Sequence, residues 1–117
     1  MTSTNEHLIS LIKELKTKSL TEKVKLWKRL AEDLSRSTRS RRIVNLIKIV
    51  EYAKPGETVV VPGKVLGLGE VTQKVDVAAY QFSISAVEKI KLAGGNTLSL
   101  WELMEKNPKA NKVRIIG

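Results

Sequence analysis

Glycine and proline divide this chain near residue 55. All three prolines lie at or beyond Pro55, and six of the seven glycines fall between Gly56 and Gly95. Both residue types punctuate turns and weaken helix interiors. Residues 1–54 can therefore sustain longer helices, whereas residues 55–117 must form short elements joined by frequent turns. Charge divides at the same place: residues 1–54 carry thirteen basic and six acidic side chains, a net +7, and residues 55–117 carry eight and six, a net +2. The sequence predicts a basic, helical N-terminal portion over 1–54 and a glycine-punctuated α/β portion over 55–117, together one structural unit.

A chain of 117 residues holds one core of ordinary size, not two. It has no cysteine and a single histidine, His7, so disulfides, thiolate zinc sites and paired-histidine metal sites are excluded. No apolar run approaches the roughly 18 residues of a membrane span, and Met1–Ser10 lacks the layout of a signal peptide. The expectation is a soluble, intracellular protein that needs no cofactor. Its net charge of +9 and pI near 9.9 favour a polyanionic partner, nucleic acid above all, over an acidic membrane.

In the N-terminal portion, Leu8, Leu11, Ile12 and Leu15 recur at the helical spacing of three and four. Ser3 with Glu6 has the form of a capping box ahead of that stripe. Ser19 with Glu22 has the same form, and predicts the start of a second helix with the stripe Val24, Trp27, Leu30, Ala31 and Leu34. The opposite faces carry Lys13, Lys16, Lys23, Lys25 and Arg29. Residues 35–42 read SRSTRSRR, too polar for a core, and predict a loop or helix junction. Ile43, Val44, Leu46, Ile47 and Val50 predict a third helix that stops near Lys54, because Pro55 disfavours the α conformation before it.

The second portion opens with the β-branched run Thr58–Val61, suited to a buried strand. Pro62 and Gly63 then predict a turn, and Lys64–Val71 reads as irregular. Val75–Ala79 predicts a strand. Ser83 or Ser85 caps a helix through Val87, Ile90 and Leu92, stopped by Gly94 and Gly95. Thr97–Ser99 is a short strand; Ser99 with Glu102 opens a helix through Trp101, Leu103 and Met104 that closes at Asn107 and Pro108. Val113–Ile116 reads as a final strand. Strands alternating with helices predict a compact, layered α/β domain, with Trp27 and Trp101 in its core.

Catalytic chemistry is thinly represented. Gly63, Gly67 and Gly69 invite a nucleotide site, but the dinucleotide fingerprint needs Gly or Ala where Thr72 stands. The phosphate loop needs Ser or Thr after Gly63-Lys64, where Val65 stands. His7 reads as a first-turn surface residue, and Glu57, Glu70 and Asp76 as solvated loop carboxylates. Arg36, Arg39, Arg41 and Arg42 crowd one short segment instead, a density whose self-repulsion a polyanion relieves. Only five aromatics occur, too few for a platform that stacks single-stranded bases. The pattern favours backbone contact with structured RNA or duplex. A free-standing nucleic-acid chaperone would share it, and an enzyme built on Gly63–Gly69 is the remaining alternative.

The stretches Arg41–Asn45 and Tyr52–Gly69 resemble the archaeal large-subunit ribosomal protein family eighteen-e, with counterparts in eukaryotic eighteen and a relation to bacterial fifteen. Val77–Ala79, Phe82-Ser83, Ala93–Gly95, Asn107-Pro108 and Val113–Gly117 extend the resemblance over nearly the whole chain. It implies a structural, non-enzymatic component of the cytoplasmic ribosome that binds large-subunit ribosomal RNA beside neighbouring large-subunit proteins. It also implies the three-layer fold of that family, preceded by a helical portion. Under it, Arg36, Arg39, Arg41 and Arg42 become RNA contacts, with Lys64, Lys13, Lys16 and Lys18 as further candidates. Gly63, Gly67 and Gly69 become places for close backbone approach to RNA.

Overall fold

The structure, a computed structural model, describes residues 6–36 and 42–116, Arg42 through its backbone alone. The order is α1 (Glu6–Glu22), α2 (Lys25–Leu34), β1 (Arg42–Asn45), α3 (Leu46–Tyr52) and β2 (Thr58–Leu66), then β3 (Asp76–Phe82), α4 (Ile84–Leu92), β4 (Thr97–Ser99), α5 (Leu100–Lys106) and β5 (Val113–Ile115). The strands form one sheet in the order β1-β2-β3-β4, with every pairing parallel. β5 pairs with the first half of β2, through Thr58–Val60, and β1 with its second half, through Gly63–Leu66. The two short strands thus pair with successive stretches of one long one.

Each parallel connection must cross a face of the sheet, and this covers both faces with helices. α3, α4 and residues 67–75 cover one face, over a core of Ile49, Val59, Val61, Val65, Val77, Ala79, Ala86 and Ile90. α1, α2 and α5 cover the other, over Leu11, Leu15, Trp27, Leu30, Leu34, Val60, Ala78, Leu100 and Leu103. The period of two in β2 and β3 sends Val59, Val61, Val77 and Ala79 to one face and Val60 and Ala78 to the other. Strand residues buried on both faces leave no polar side of the sheet, hence the unbroken run Val59–Val61. The result is a compact, three-layer α/β fold whose N-terminal half is mainly helical.

Several predicted boundaries move. The first helix runs through Ser19 to Glu22, so Ser19 and Glu22 do not open a second one. Lys23 adopts a left-handed conformation (φ 59°), and the Val24 N–H donates to the Ser19 carbonyl at 3.2 Å, the six-to-one closure of a Schellman motif. The Ser19 hydroxyl donates to the Val24 carbonyl at 2.9 Å, and α2 starts after Val24 without a side-chain cap. Ser19 closes a helix here rather than starting one. The Ser3 cap lies outside the described residues.

Residues 42–45 are a strand, not the first turn of the third helix, which begins only at Leu46. Backbone pairing of Ile43, Val44 and Asn45 with Lys64, Val65 and Leu66 overrides their fit to a helical stripe. β2 does not turn at Pro62 and Gly63 but runs on to Leu66, with a register shift between Val61 and Lys64. A bulge is where an interior strand tolerates proline, which has no N–H for the ladder. Trp101 is 43% exposed, not core, because α5 buries Leu100, Leu103 and Met104 and Trp101 lies one position off that stripe.

Other predictions hold. The Ser83 hydroxyl accepts from the Ala86 N–H and caps α4. At its other end Gly94 takes φ +85°, and the Gly95 N–H donates to the Ile90 carbonyl at 3.0 Å. Ser99 and Glu102 make both bonds of a capping box. His7 is an exposed first-turn residue.

Candidate nucleic-acid interface

The apolar faces of α1 and α2 are spent on the sheet, so their charged faces turn outward. Lys13, Lys16, Lys25, Lys28 and Arg29 are exposed, and among the described residues none has a carboxylate partner within 4 Å. Lys16 and Lys28 flank a groove of about 560 Å³ between the helices, lined also by Ser19, Leu20, Glu32 and Ser35. Lys18 is half-buried and lies close enough to Glu22 to help hold that carboxylate below its ordinary range. The larger cause at Glu22 is Lys109, whose ammonium bonds it at 2.9 Å and ties the end of α1 to the segment after α5.

The α1–α2 groove runs to Ser35, where the arginine segment starts. Arg36 is exposed and pairs with Asp33 at 3.7 Å; Asp33 is the one charged residue buried among the described residues, so part of the Arg36 charge is already engaged. Arg39, Arg41 and the rest of residues 37–41 lie outside the described residues. On the far side of the segment, the backbone of Arg42 stands in register with Gly63, and Ile43 with Lys64. Arg42, Gly63 and Lys64, far apart in sequence, therefore come together on neighbouring strands. Lys64 is exposed; Gly63 is buried inside β2.

The other glycines of that stretch face inward. A Cβ on Gly67 would sit 2.0 Å from the Ser85 hydroxyl, and one on Gly69 (φ +118°) would sit 2.6 Å from the Ile47 nitrogen. The Lys89 ammonium donates to the Gly67 carbonyl at 2.7 Å and to the Gly69 carbonyl at 2.8 Å. α3, α4 and a lysine thus pack against the glycine turn from within, and this close packing is what the two glycines serve. The three loop carboxylates separate: Glu57 binds Arg114 at 2.8 Å, Asp76 accepts from the Asn96 N–H at 3.0 Å, and Glu70 is exposed.

Two features escaped the sequence reading. Lys28 could have been found from its spacing to Lys25 and Arg29 on α2, which puts all three toward one side. Lys54 and Lys74 flank a cleft of about 340 Å³ on the opposite face of the sheet, and their meeting had no signal, because it depends on how β2 crosses to β3. No described helix is long and apolar enough to cross a membrane.

Residues 24–98 match the family model that describes ribosomal proteins 50S-L15 and 50S-L18e together with their 60S counterpart. The chain is 50% identical over 113 residues to the large ribosomal subunit protein eL18 of Methanosphaerula palustris, a match that covers 97% of this chain and 93% of that protein. It is 45% identical over 116 residues to the eL18 proteins of Methanothermobacter thermautotrophicus and Archaeoglobus fulgidus, covering 99% of this chain in both cases and 96% and 99% of the relatives. Nearly full-length identity at this level, over a chain with this charge distribution, settles its kinship: it belongs to the ribosomal protein family of 50S-L15 and 50S-L18e.

Proposed function

We propose that the chain is a structural constituent of the large subunit of cytoplasmic ribosomes. There it binds folded large-subunit ribosomal RNA beside neighbouring ribosomal proteins. The observation that carries this reading is full-length kinship with proteins named for that subunit. The exposed lysines of α1 and α2, unpaired among the described residues, supply the physical means. Lys and Arg displace counterions condensed on RNA, so affinity falls by about 0.7–0.9 log units per decade of salt for each phosphate contacted.

Arg36, Arg39, Arg41 and Arg42 form the densest contact in this reading, continued by Lys64 on one side and by Lys13, Lys16 and Lys18 on the other. Gly63, inside β2, serves by placing Lys64 next to the strand that receives the arginine segment. The domain acts as a rigid scaffold and needs no bond-making step.

The test uses the full chain and purified large-subunit ribosomal RNA, with binding measured against KCl concentration. One variant replaces Arg39, Arg41 and Arg42 by Ala, leaving Arg36 to partner Asp33. A control replaces Lys91, Lys106 and Lys112, all exposed, and spares Lys109 for Glu22. The arginine variant loses about 2–3 units of salt slope and the control keeps its slope. Equal losses in the two variants contradict the assignment of the contact to the arginine segment.

A further inference from the structure

The cleft beside Lys54 and Lys74 lies on the face of the sheet away from α1 and α2. Its walls are the end of α3, through Val50 and Ala53, and the segment Thr72–Val75. Val75, Ile49 and Ala53 belong to the core under α3 and α4, whereas the α1–α2 groove stands over the opposite core.

A lysine just past a helix C-terminus is explained by the helix dipole, and that accounts for Lys54 alone. Lys74 is brought to the same cleft by a different segment. Both are exposed, and among the described residues neither has a carboxylate within 4 Å. Neither Glu51 nor Glu57 lines the cleft; Glu57 is bonded by Arg114 at 2.8 Å and is attracted more weakly by Lys54. The N–H groups of Thr72, Gln73 and Lys74 belong to no helix or ladder and make no hydrogen bond among the described residues. Two exposed lysines, and a lining segment whose amides are not spent on helix or ladder, match the needs of a phosphate group.

We infer that this cleft is a second RNA-phosphate contact, and that the protein bridges two RNA segments lying on opposite faces of its sheet. The inference rests on the RNA-binding reading above and adds to it a second site and a geometry. Charge on one face alone would dock the domain on a single segment. Charge on both faces makes it a spacer that holds two segments apart by the thickness of its three layers.

The test compares Lys54→Ala/Lys74→Ala with Lys16→Ala/Lys28→Ala in the full chain. Each is assayed for salt-dependent binding to purified large-subunit ribosomal RNA and for hydroxyl-radical protection of that RNA. All four side chains are exposed, so the unfolding midpoints stay near that of the parent. Each variant loses about 1.5 units of salt slope, and the two lose protection at different RNA segments. Parental binding with an unchanged slope and footprint in Lys54→Ala/Lys74→Ala overturns the second contact. Loss of one and the same segment by both variants overturns the bridging. A parent chain that does not bind the RNA at all removes the RNA-binding reading itself, a result distinct from the other two.

Discussion

The Trp27 indole N–H donates to the Pro108 carbonyl at 2.8 Å, joining α2 to the turn after α5 across 81 residues of sequence. Trp27 is fully buried. A buried indole needs a partner for its one donor, and a carbonyl just outside a helix supplies it without disturbing a ladder. This bond and the Lys109–Glu22 ion pair both fasten the segment after α5 to the N-terminal helices, so α1, α2 and α5 hold together as one layer.

Trp27→Phe keeps most of the apolar contact and removes the donor, at a cost of about 1–2 kcal/mol. Trp27→Ala leaves a cavity as well and costs about 3–5 kcal/mol. Urea unfolding of the two variants separates the contributions. An equal loss in both would show that the hydrogen bond, not the ring, holds α2 in place.

Two adjacent glycines test two different physical demands. Gly94 adopts φ +85° with nothing within 4 Å of a Cβ built on it, whereas a Cβ on Gly95 would sit 2.0 Å from the Val75 carbonyl oxygen. Gly94→Ala suffers only the left-handed backbone conformation, about 1 kcal/mol. Gly95→Ala forces α4 away from the start of β3 and costs about 3 kcal/mol, near the top of the range for overpacking. Denaturant midpoints give the order, and the reverse order would contradict these contacts.

This pair also marks how far the sequence could be read. The dipeptide announces a helix end, and the end is there. That Gly94 serves the conformation and Gly95 the close approach depends on a strand some twenty residues earlier, which local pattern does not contain. β1 shows the same limit: Ile43, Val44, Leu46, Ile47 and Val50 fit a helical stripe, yet Ile43 is 67% exposed and residues 42–45 pair with β2. A short apolar run carries no period strong enough to separate strand from helix, and the deciding partner lies about twenty residues away. Pro62 misleads for a related reason, since a bulge in a paired strand and a turn demand the same residues. The candidate interface divides likewise. Its arginines crowd one short segment and are legible, but the approach of Arg42 to Gly63 and of Lys54 to Lys74 exists only in the folded chain.

Acid stability gives a third prediction. Glu57 is held below the usual glutamate range, first by its hydrogen bond from Arg114, with further attraction from the Arg114 and Lys54 charges. A depressed pKa means that the stabilisation is complete above the unfolded value of about 4.5 and is lost as pH falls through the folded value. The folded chain therefore weakens below about pH 4.5. Glu57→Gln has a shallower acid limb than the parent, because that carboxylate no longer takes up a proton on unfolding. Thermal midpoints between neutral and acidic pH measure it, and an unchanged acid limb in Glu57→Gln would show that the pair adds nothing.

Incorporation into the large ribosomal subunit through these basic surfaces, as proposed above, is a property of the native particle. Native lysate sedimented through a sucrose gradient, with the chain followed by immunoblot, tests it most directly. The expected result is co-migration with the large subunit at one copy per particle, surviving a high-salt wash. A chain that stays near the top of the gradient, or leaves the particle at modest salt, would contradict it and point to a loosely associated RNA-binding protein instead.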